Sequence, residues 1–288
     1  MARKKLIKRR QNRSLALDIV LNLILLLFAC FMALPFVYAI CQAFKPMEEL
    51  FVFPPTFFVR NPTLENFSDL FLLMGQSWVP FSRYILNSLL VTGLGTYLHI
   101  VAASLAAYTL EKHRFPGRDF FFSVVVLSLM FSSQVTSIPN YIIMSKLGWI
   151  DSYLALIVPA VAMPMGLYLM KQFLETMVHD SVLEAAKIDG AGEWRIFWRI
   201  VMPMVKPAWL TLIIFAIQSL WNAPSGSFIY SEELKTLPNA LSQIASTGIS
   251  RAGVGAAVAV LVMLLPLTVF VINQSNVMQT MATSGMKE

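Results

Sequence analysis

The side chains best suited to chemistry are scattered along this sequence. Its three histidines, His99, His113 and His179, lack the close spacing of metal ligands. Cys30 and Cys41 stand eleven residues apart in one apolar run, and a helix of that length separates them by about 16 Å, too far for a disulfide. An enzyme would need several acidic, histidine or cysteine side chains arranged together, and no such set is evident. The sequence therefore predicts neither catalysis nor a metal site.

A phosphate-binding loop of the form G-x-x-x-x-G-K-[ST] is also missing from the sequence. Such a loop surrounds nucleotide phosphates with backbone N–H groups, and its lysine reaches the terminal phosphates. We therefore expect no nucleotide or other cofactor in this chain. Any energy from ATP would have to come from another subunit.

The most informative spacing lies in the segment 180–207, which reads DSVLEAAKIDGAGEWRIFWRIVMPMVKP. Ser181 and Glu184 have the three-residue spacing of a capping box, in which each side chain satisfies a free backbone donor of the other residue. This predicts the start of a short helix. Asp189-Gly190 is a strong turn signal, and glycine suits the left-handed conformation that ends helices.

An amphipathic stretch, Trp194–Val201, follows the turn. We expect Pro203 to end it, because proline cannot continue the helical hydrogen-bond ladder. Arg195 and Arg199 are four residues apart, which places both charges on one side of the helix. Together the two short helices predict an exposed elbow whose stiff arms can carry the motion of a partner into the segments on either side.

The segments on either side of the elbow are strongly apolar. Hydrophobic residues make up 57% of the sequence and charged residues 13%, a balance that argues against a water-soluble globule. Six uncharged windows can each hold the roughly 20 apolar residues that cross a bilayer as a helix, and helices satisfy their own backbone groups in hydrocarbon. We therefore predict an all-α, polytopic membrane protein with six transmembrane helices in a single domain, 1–288. The expected spans are 17–43, 84–110, 119–144, 152–173, 206–224 and 253–275.

The first of these spans has a competing interpretation. A basic tail, 1–14, before an apolar run is also the pattern of a cleaved signal peptide. The apolar run continues from Ile19 to about Ala43, which is longer than a signal peptide needs, and it lacks the usual small-residue cleavage site. We therefore expect it to remain as a helix of the mature protein.

Positive charge indicates which side of the membrane each connection faces. Of the 22 lysines and arginines, 16 fall in the basic tail, in 112–118, in 171–206 or at Lys287. These alternate connections lie on one side, and the positive-inside rule makes that side the cytoplasm. We expect both termini and the elbow, as a cytoplasmic loop over 176–205, to face inward in the cell membrane. This distribution explains the net charge of +6 without a nucleic-acid partner.

The elbow resembles the EAA signature of the permease subunits of ABC importers. The matching residues are Glu184, Ala185, Ala186, Asp189, Gly190, Ala191, Ile200 and Pro203. Met202 stands where that pattern usually has leucine, an exchange that conserves volume. Other similarities are those of the carbohydrate-uptake branch, the maltose-type, binding-protein-dependent permeases. They include Asn87-Ser88, Ala106-Ala107-Tyr108, Phe115-x-Gly117-Arg118, Pro139 and Thr236-Leu237-Pro238.

This resemblance implies a type I ABC importer permease fold and a transport function without catalysis. The chain would form half of a translocation path for a sugar or oligosaccharide, and a second permease would form the other half. An extracytoplasmic binding protein would deliver the solute, and two cytoplasmic ATPase subunits that hold ATP and Mg would drive alternating access. The open alternative is a permease of the same fold for another solute, such as a peptide or an organic ion.

In that family the elbow docks into a groove of the ATPase. The residues that would couple this chain to the ATPase are Glu184, Ala185, Ala186, Asp189, Gly190, Ala191, Arg195 and Pro203. The competing interpretation is a hairpin that only lies on the membrane surface. The Asp-Gly turn argues against it, because the turn interrupts the amphipathic period where a surface helix would gain by continuing.

Polar side chains in the spans are expected to face the bundle interior, since their exposure to lipid is costly. The candidates for the transport path are Asn87, Gln134, Asn140, Gln218, Trp221 and Asn222. Their amides could bond sugar hydroxyls and Trp221 could stack on a sugar ring, while interhelical hydrogen bonding is the alternative for each. The outward loop before the last span could reach a partner or form an ordinary cap. The resemblance implies binding-protein contacts there at Thr236, Leu237 and Pro238.

Overall fold

The computed structural model describes residues 15–223, 225–246 and 251–284. The predicted basic tail 1–14, Pro224 in the predicted span 206–224, and Lys287 lie outside them. The described residues form helices joined by irregular connections and contain no strand, which confirms the all-α prediction. The helices are α1 (Leu15–Ala43), α2 (Met47–Leu50), α3 (Glu65–Gly75), α4 (Phe81–Lys112), α5 (Arg118–Ser128), α6 (Ser133–Lys146), α7 (Leu154–Val161), α8 (Pro164–Met177), α9 (Asp180–Ile188), α10 (Glu193–Ile196), α11 (Met202–Met204), α12 (Lys206–Trp221), α13 (Leu237–Ala245) and α14 (Ala252–Ser284).

Four helical segments in the described part of the chain are long and apolar enough to cross a membrane. They are Leu17–Ala43, Phe81–Lys112, Leu154–Met177 and Ala252–Gln274. Two bent pairs bring the number to six when each pair counts as one span: α5 with α6, bent by 109°, and the run Glu193–Met204 with α12, bent by 78°. This number agrees with the six spans expected from the uncharged windows.

Two of the interrupted spans, α5 with α6 and α7 with α8, lie beside one cavity. The break between α7 and α8 has Pro164 at the start of α8, and Met163 before it has a ψ of 118°. A proline ring drives the preceding residue out of the helical region, so this break follows from the sequence. At the break between α5 and α6, Ser132 is extended, with a ψ of 151°. Irregular backbone at membrane depth is tolerated where it lines a cavity, and residues of both breaks line one cavity.

α4 is the central helix of the bundle and packs against α7, α8 and α12. Small residues permit this close approach: a Cβ atom at Gly95 would lie 2.8 Å from Cδ1 of Leu220 in α12. His99 is buried on α4, with its Nδ1 atom 3.2 Å from the carbonyl oxygen of Val161. α1 packs on α14 and leaves most of its side chains exposed. Such a helix is suited to contact with lipid or with another membrane subunit.

Two short helices cover the end of the bundle opposite the elbow. Asn66 of α3 is buried, and its Nδ2 atom donates to the carbonyl oxygens of Ala43, at 2.9 Å, and Lys45, at 2.7 Å. α13 packs on α4 and α14, and its own Leu241 is fully buried. The described part of the connection between α12 and α14 therefore caps the bundle, one of the two interpretations of the outward loop.

Candidate functional site

The elbow between α8 and α12 consists of α9, a turn, α10, a π turn over Phe197–Val201, and α11. At the turn, Gly190 has a φ of +76°. The N–H of Gly190 donates to the carbonyl oxygen of Lys187, and that of Ala191 donates to the oxygen of Ala186, both at 3.0 Å. These two hydrogen bonds form a Schellman motif, in which glycine takes the left-handed position without strain.

The start of the elbow differs from the sequence prediction. The capping box is wrong: α9 begins at Asp180, its N-cap is His179, and no side chain caps it. Ser181 therefore lies inside the first turn, where its hydroxyl cannot take the capping position. The side chain of Asp180 is used instead in an ion pair with Lys112 of α4, at 2.8 Å.

The end of the elbow also differs, because Pro203 does not stop the second helix, which continues to Met204. In the π turn before it, the N–H of Met202 bonds to the carbonyl oxygen of Phe197, five residues back. Proline disrupts an α-helix by its clash with the carbonyl four residues back, and the wider π turn relieves that clash. The indole Nε1 of Trp209 then donates to the carbonyl oxygen of Met202 at 3.1 Å, which ties the elbow to α12.

One face of the elbow is buried against the helix bundle. Leu183 of α9 and Phe197 of the π turn are buried in an apolar cluster that includes Tyr108 of α4 and Met170 of α8. The Tyr108 and Phe197 rings lie 5.4 Å apart between centroids. Further buried members of the cluster are Ala103, Ala107, Leu174, Val178, Ala186, Ile196, Val201, Val205, Ala208 and Leu212. Movement of the elbow must therefore displace the ends of α4, α8 and α12.

A group of hydrogen bonds and ion pairs holds the elbow against the end of α4. The hydroxyl of Tyr108 donates to Oε2 of Glu193 at 3.0 Å. Lys187 of α9 lies 2.8 Å from Oε1 of the same carboxylate, and Nε2 of His113 lies 3.8 Å from Oε2. One side chain of α10 thus joins α9, α10 and α4. Sequence reasoning missed Glu193, because its partner Tyr108 is 85 residues away in the chain.

A second tether joins the start of α9 to α4. The Nζ atom of Lys112 donates to the carbonyl oxygen of Val178 at 2.6 Å and to the carboxylate of Asp180 at 2.8 Å. The hydrogen bond from Lys112 holds the pKa of the Asp180 carboxyl below its usual value. The carboxylate is therefore ionised throughout the neutral range, and this contact is lost only when the pH falls through that lowered pKa.

The opposite face of the elbow is exposed. Ile188 is 87% exposed at the end of α9, and Trp194 is 68% exposed at the start of α10. An apolar pair standing free at the tip of a rigid turn is suited to a partner surface. Of the predicted coupling residues, Ala186 is buried and Ala191 half-buried, and the others are exposed. The exposed ones are Glu184, Ala185, Asp189, Gly190, Arg195 and Pro203.

We expect Glu193→Ala to weaken coupling between the elbow and α4. The change leaves the Tyr108 hydroxyl, on a side chain only 5% exposed, without its carboxylate acceptor, at a cost of about 1–3 kcal/mol. ATP hydrolysis by the assembled transporter should then exceed the solute transported. Tyr108→Phe should give part of the same loss. Added to Glu193→Ala it should change little further, because the Tyr108–Glu193 contact is then already broken. Additive losses of coupling in the double variant would contradict a shared contact between the two side chains.

The structure places two of the predicted path residues in the packed interior. Asn87 is 4% exposed and Trp221 is 6% exposed. The Nδ2 atom of Asn87 donates to the carbonyl oxygens of Glu233, at 2.8 Å, and Lys235, at 2.9 Å, and its Oδ1 accepts from the hydroxyl of Tyr153 at 2.6 Å. Nε1 of Trp221 donates to the carbonyl oxygen of Val262 at 2.8 Å. These bonds favour a bonding role within the bundle for both residues, to another helix for Trp221 and to the connections beside α4 for Asn87.

The other four path residues are exposed, and two of them line cavities. Asn140 lines a cavity of about 780 Å³ between α6, α7 and α12, with Ser133 and Thr136 beside it. Asn222 and the otherwise buried Trp221 both line a second cavity of about 410 Å³ between α12, α13 and α14. Gln134 and Gln218 are exposed outside both linings. Among the described residues that line the larger cavity, none is charged.

The predicted binding-protein contacts lie where α13 is anchored to the bundle. Thr236 is 8% exposed, and its Oγ1 lies 3.3 Å from Oγ of Ser225. The N–H of Leu237 donates to the hydroxyl of Ser88 in α4 at 2.6 Å. Pro238 is half-buried and lines the smaller cavity. The segment therefore fixes the position of α13, the helix beyond it.

We expect Asn87→Ala to destabilise the bundle, because it leaves the carbonyl oxygen of Lys235 and the hydroxyl of Tyr153 without partners. The carbonyl oxygen of Glu233 keeps only a longer bond from Nε of Arg83, at 3.4 Å. Each buried group left unpaired costs about 1–3 kcal/mol, so the thermal midpoint in detergent should fall by roughly 5–10 °C. Unchanged stability with lost uptake would contradict this bonding role and support the predicted place of Asn87 in the path. Asn140→Ala, at an exposed position, is the matched control and should leave the midpoint within about 1 °C.

Groups suited to metal binding are not found: no set of three or more His, Cys, Asp or Glu side chains in the described ranges is placed to hold a metal ion. Cys30 and Cys41 of α1 are free thiols. The structure thus contains an elbow with one buried and one exposed face. It also contains a cavity, without charged side chains among its described lining residues, beside the α5–α6 and α7–α8 breaks.

Known proteins are similar to this chain in sequence and in fold. Residues 99–279 match the family described as binding-protein-dependent transport system inner membrane component. The polygalacturonan/rhamnogalacturonan transport system permease protein YtcP of Bacillus subtilis (strain 168) is 31% identical over 225 residues, which are 77% of this chain and 74% of that protein. The sn-glycerol-3-phosphate transport system permease protein UgpE of Yersinia pestis bv. Antiqua (strain Antiqua) is 32% identical over 213 residues, 74% of this chain and 75% of that protein.

A solved structure has the same architecture. The crystal structure of a bacterial ABC transporter involved in the import of the acidic polysaccharide alginate contains a chain that superposes with a TM-score of 0.76, at 20% identity, over 92% of this chain and 99% of that one. This similarity confirms the predicted fold, and the sequence match confirms the resemblance to ABC importer permeases. The chain therefore belongs to the family of binding-protein-dependent transport system inner membrane components, the membrane-spanning permease subunits of ABC importers.

Proposed function

We propose that this chain forms half of the path by which a sugar or oligosaccharide crosses the cell membrane. The observation that carries the proposal is the elbow, which is rooted among α4 and α8 on one face and presents Ile188 and Trp194 on the other. An elbow that packs into the bundle on one face can transmit motion when a partner displaces its exposed face. Since the sequence has no phosphate-binding loop, ATP and Mg belong to a separate ATPase that docks on the exposed face.

The relatives support a carbohydrate solute. YtcP is named for polygalacturonan and rhamnogalacturonan, and the transporter of similar fold imports alginate. In this chain the larger cavity presents the hydroxyls of Ser133 and Thr136 and the amide of Asn140. These groups both donate and accept hydrogen bonds, as the recognition of a polyhydroxylated solute requires.

An organic ion is the second candidate solute, because UgpE, named for sn-glycerol-3-phosphate, is 32% identical. A phosphate ester needs cationic or backbone N–H partners. The larger cavity has no charged side chain among its described lining residues, so such partners would have to come from elsewhere. We therefore place the sugar first.

Motion would reach the cavity through rigid elements. A push on the tip of the elbow displaces α9 and α10, and the Tyr108–Glu193 contact and the apolar cluster pass that displacement to α4 and α8. α8 begins at Pro164, which lines the larger cavity. Rigid-body rotation of packed helices is a common form of such transitions, so closure of the ATPase would move the cavity wall and alternate its access.

The complete importer would contain a second permease of similar kind, two cytoplasmic ATPase subunits and an extracytoplasmic binding protein. Both termini and the elbow would face the cytoplasm, in agreement with the basic residues Lys112, Lys187 and Arg199 at that end. The exposed apolar faces of α1, α5 and α6 suit lipid and the second permease. The binding protein would approach the opposite end, where Thr236–Pro238 and α13 lie.

The test is to purify the intact assembly and to measure which solute, presented on its binding protein, stimulates ATP hydrolysis. The panel consists of a neutral arabino-oligosaccharide, an oligogalacturonate, sn-glycerol-3-phosphate and an oligopeptide. We expect stimulation by one of the two sugars. Stimulation by the phosphate ester or the peptide alone would replace the sugar assignment while keeping the permease. Flux of solute through the chain without any ATPase would contradict the transport mechanism.

A further inference from the structure

Three aromatic side chains meet at the end of the bundle opposite the elbow. The rings of Tyr141, on α6, and Phe228, after α12, lie 6.2 Å apart between centroids. The hydroxyls of Tyr141 and Tyr230 lie 3.3 Å apart, and the hydroxyl of Tyr230 also donates to the carbonyl oxygen of Ser227 at 3.1 Å. The Tyr141 hydroxyl is therefore the donor of the pair and keeps its own acceptor sites for another molecule.

These rings are accessible, and they adjoin the larger cavity. Tyr141 is 39% exposed and Tyr230 is 57% exposed. Phe228 lines the cavity of about 780 Å³ together with Asn140, the residue before Tyr141. The three rings, which we call the aromatic platform, thus continue the wall of the cavity toward the outside of the bundle.

A strained residue holds the platform in place. Asp151, in the connection between α6 and α7, has a φ of +60°. Its N–H donates to the carbonyl oxygen of Phe228 at 2.7 Å, and its carboxylate accepts from the N–H groups of Tyr230, at 2.9 Å, and Ser231, at 2.8 Å, and from the Ser231 hydroxyl. Hydrogen bonds from Ser231 hold the pKa of the Asp151 carboxyl below its usual value. A non-glycine residue keeps this backbone conformation only where its surroundings determine it, so the connections before α7 and after α12 move as one piece.

The chemistry of the platform suits a sugar. Ring faces offer apolar contact to the C–H face of a sugar ring, and tyrosine adds a polar handle at its edge. Ligand sites in general combine such aromatic walls with a few placed polar groups. None of the three side chains is charged. Aromatic residues also collect at membrane interfaces as independent anchors. Here, however, the two hydroxyls bond to each other and the backbone beneath them is held by hydrogen bonds, so the rings form one surface.

We propose that Tyr141, Phe228 and Tyr230 form a sugar-binding platform at the outer mouth of the cavity, where a sugar leaving the binding protein is first held by this chain. This role rests on the proposed function. It assigns a ligand contact to residues that polarity alone did not single out, and it places that contact at the mouth of the cavity, where Phe228 forms part of the lining.

The test compares single substitutions in the complete assembly with its binding protein, using an arabinotriose and a trigalacturonate as the two probes. Tyr230→Ala should raise the KM for sugar-stimulated ATP hydrolysis by about tenfold, the worth of one aromatic contact, with a smaller change in kcat. Tyr230→Phe, which keeps the ring, should raise it by about twofold. Trp78→Ala removes another exposed ring, 73% exposed in the connection before α4, and should leave the KM unchanged.

Two results would overturn the platform. One is a KM for Tyr230→Ala within twofold of the unaltered transporter, provided that gel filtration shows the assembly intact. The other is an equal rise for Trp78→Ala, which would show a general interfacial role of aromatic residues. Stimulation of the unaltered transporter by sn-glycerol-3-phosphate and by neither sugar would be a different failure, since it would remove the proposed function and the sugar platform together.

Discussion

The Gly190→Pro substitution is expected to abolish ATP-driven uptake while the chain still inserts into the membrane. Gly190 has a φ of +76°, and its N–H bonds to the carbonyl oxygen of Lys187. Proline fixes φ near −65° and has no N–H, so the turn must refold at a cost of about 3 kcal/mol or more. This corresponds to a loss of roughly 100-fold in the population of the correct elbow. Co-purification of the ATPase and uptake into proteoliposomes are the two measurements.

Two other substitutions separate backbone geometry from loss of glycine itself. Gly190→Asn should retain most activity, because asparagine tolerates the left-handed conformation. Gly192→Ala should be harmless, since Gly192 has an ordinary φ of −72° and a Cβ atom there would meet nothing within 4 Å. If Gly190→Pro left uptake and ATPase binding intact, the turn could not be a mechanical joint. An equal loss in Gly192→Ala would show that the segment is sensitive to any change.

The Ile188→Asp substitution is expected to release the ATPase without disturbing the bundle. Ile188 is 87% exposed at the tip of the elbow, so an aspartate there costs the isolated chain little. In a docked complex it would lose an apolar anchor and bury an unpaired charge, and anchors of this kind are worth about 2–4 kcal/mol. The affinity of the permease for its ATPase should therefore fall by roughly 30-fold to 1000-fold, as measured by titration of the ATPase onto nanodiscs.

Ile188→Leu keeps an apolar side chain of equal volume and should bind the ATPase normally. Leu64→Asp makes the same change at a residue 66% exposed at the other end of the bundle, and it should leave ATPase affinity unchanged. Normal ATPase affinity in Ile188→Asp would show that the tip is not the docking surface.

The sequence predicted those features that depend on local chemistry. The turn at Gly190 follows from the left-handed preference of glycine after a short helix. The uncharged windows predicted six spans, because the bilayer fixes the length of an apolar helix. The break before α8 could also have been predicted, since Pro164 excludes Met163 from the helical region, but one span was expected to run through it.

Features that depend on distant contacts could not be predicted. Glu193 meets Tyr108 only because α10 folds against the end of α4, and no local pattern signals that pairing. Asn87 carried the right polarity for a path residue, yet its three hydrogen bonds go to Tyr153, Glu233 and Lys235. Polarity identifies a side chain that needs hydrogen-bond partners. Only the fold decides whether those partners belong to the chain itself or to a solute.

The two ends of α9, the Schellman turn and the expected capping box, show the same difference between local and distant contacts. The turn at Gly190 was predicted because its hydrogen bonds are local. The capping box of Ser181 and Glu184 was wrong, because α9 starts two residues earlier and Asp180 is held by Lys112 from another helix. A tertiary ion pair thus moved the helix start away from the position favoured by the local pattern.

The most direct measurement is the labelling of Ile188→Cys by a membrane-impermeant maleimide, in a chain whose Cys30 and Cys41 have been replaced by alanine. In inside-out vesicles, we expect the cysteine to react rapidly when the ATPase has been stripped away and to be protected when the ATPase is bound. In right-side-out vesicles it should not react. Labelling from the outside, or a rate that the ATPase does not change, would contradict an elbow that a cytoplasmic motor moves.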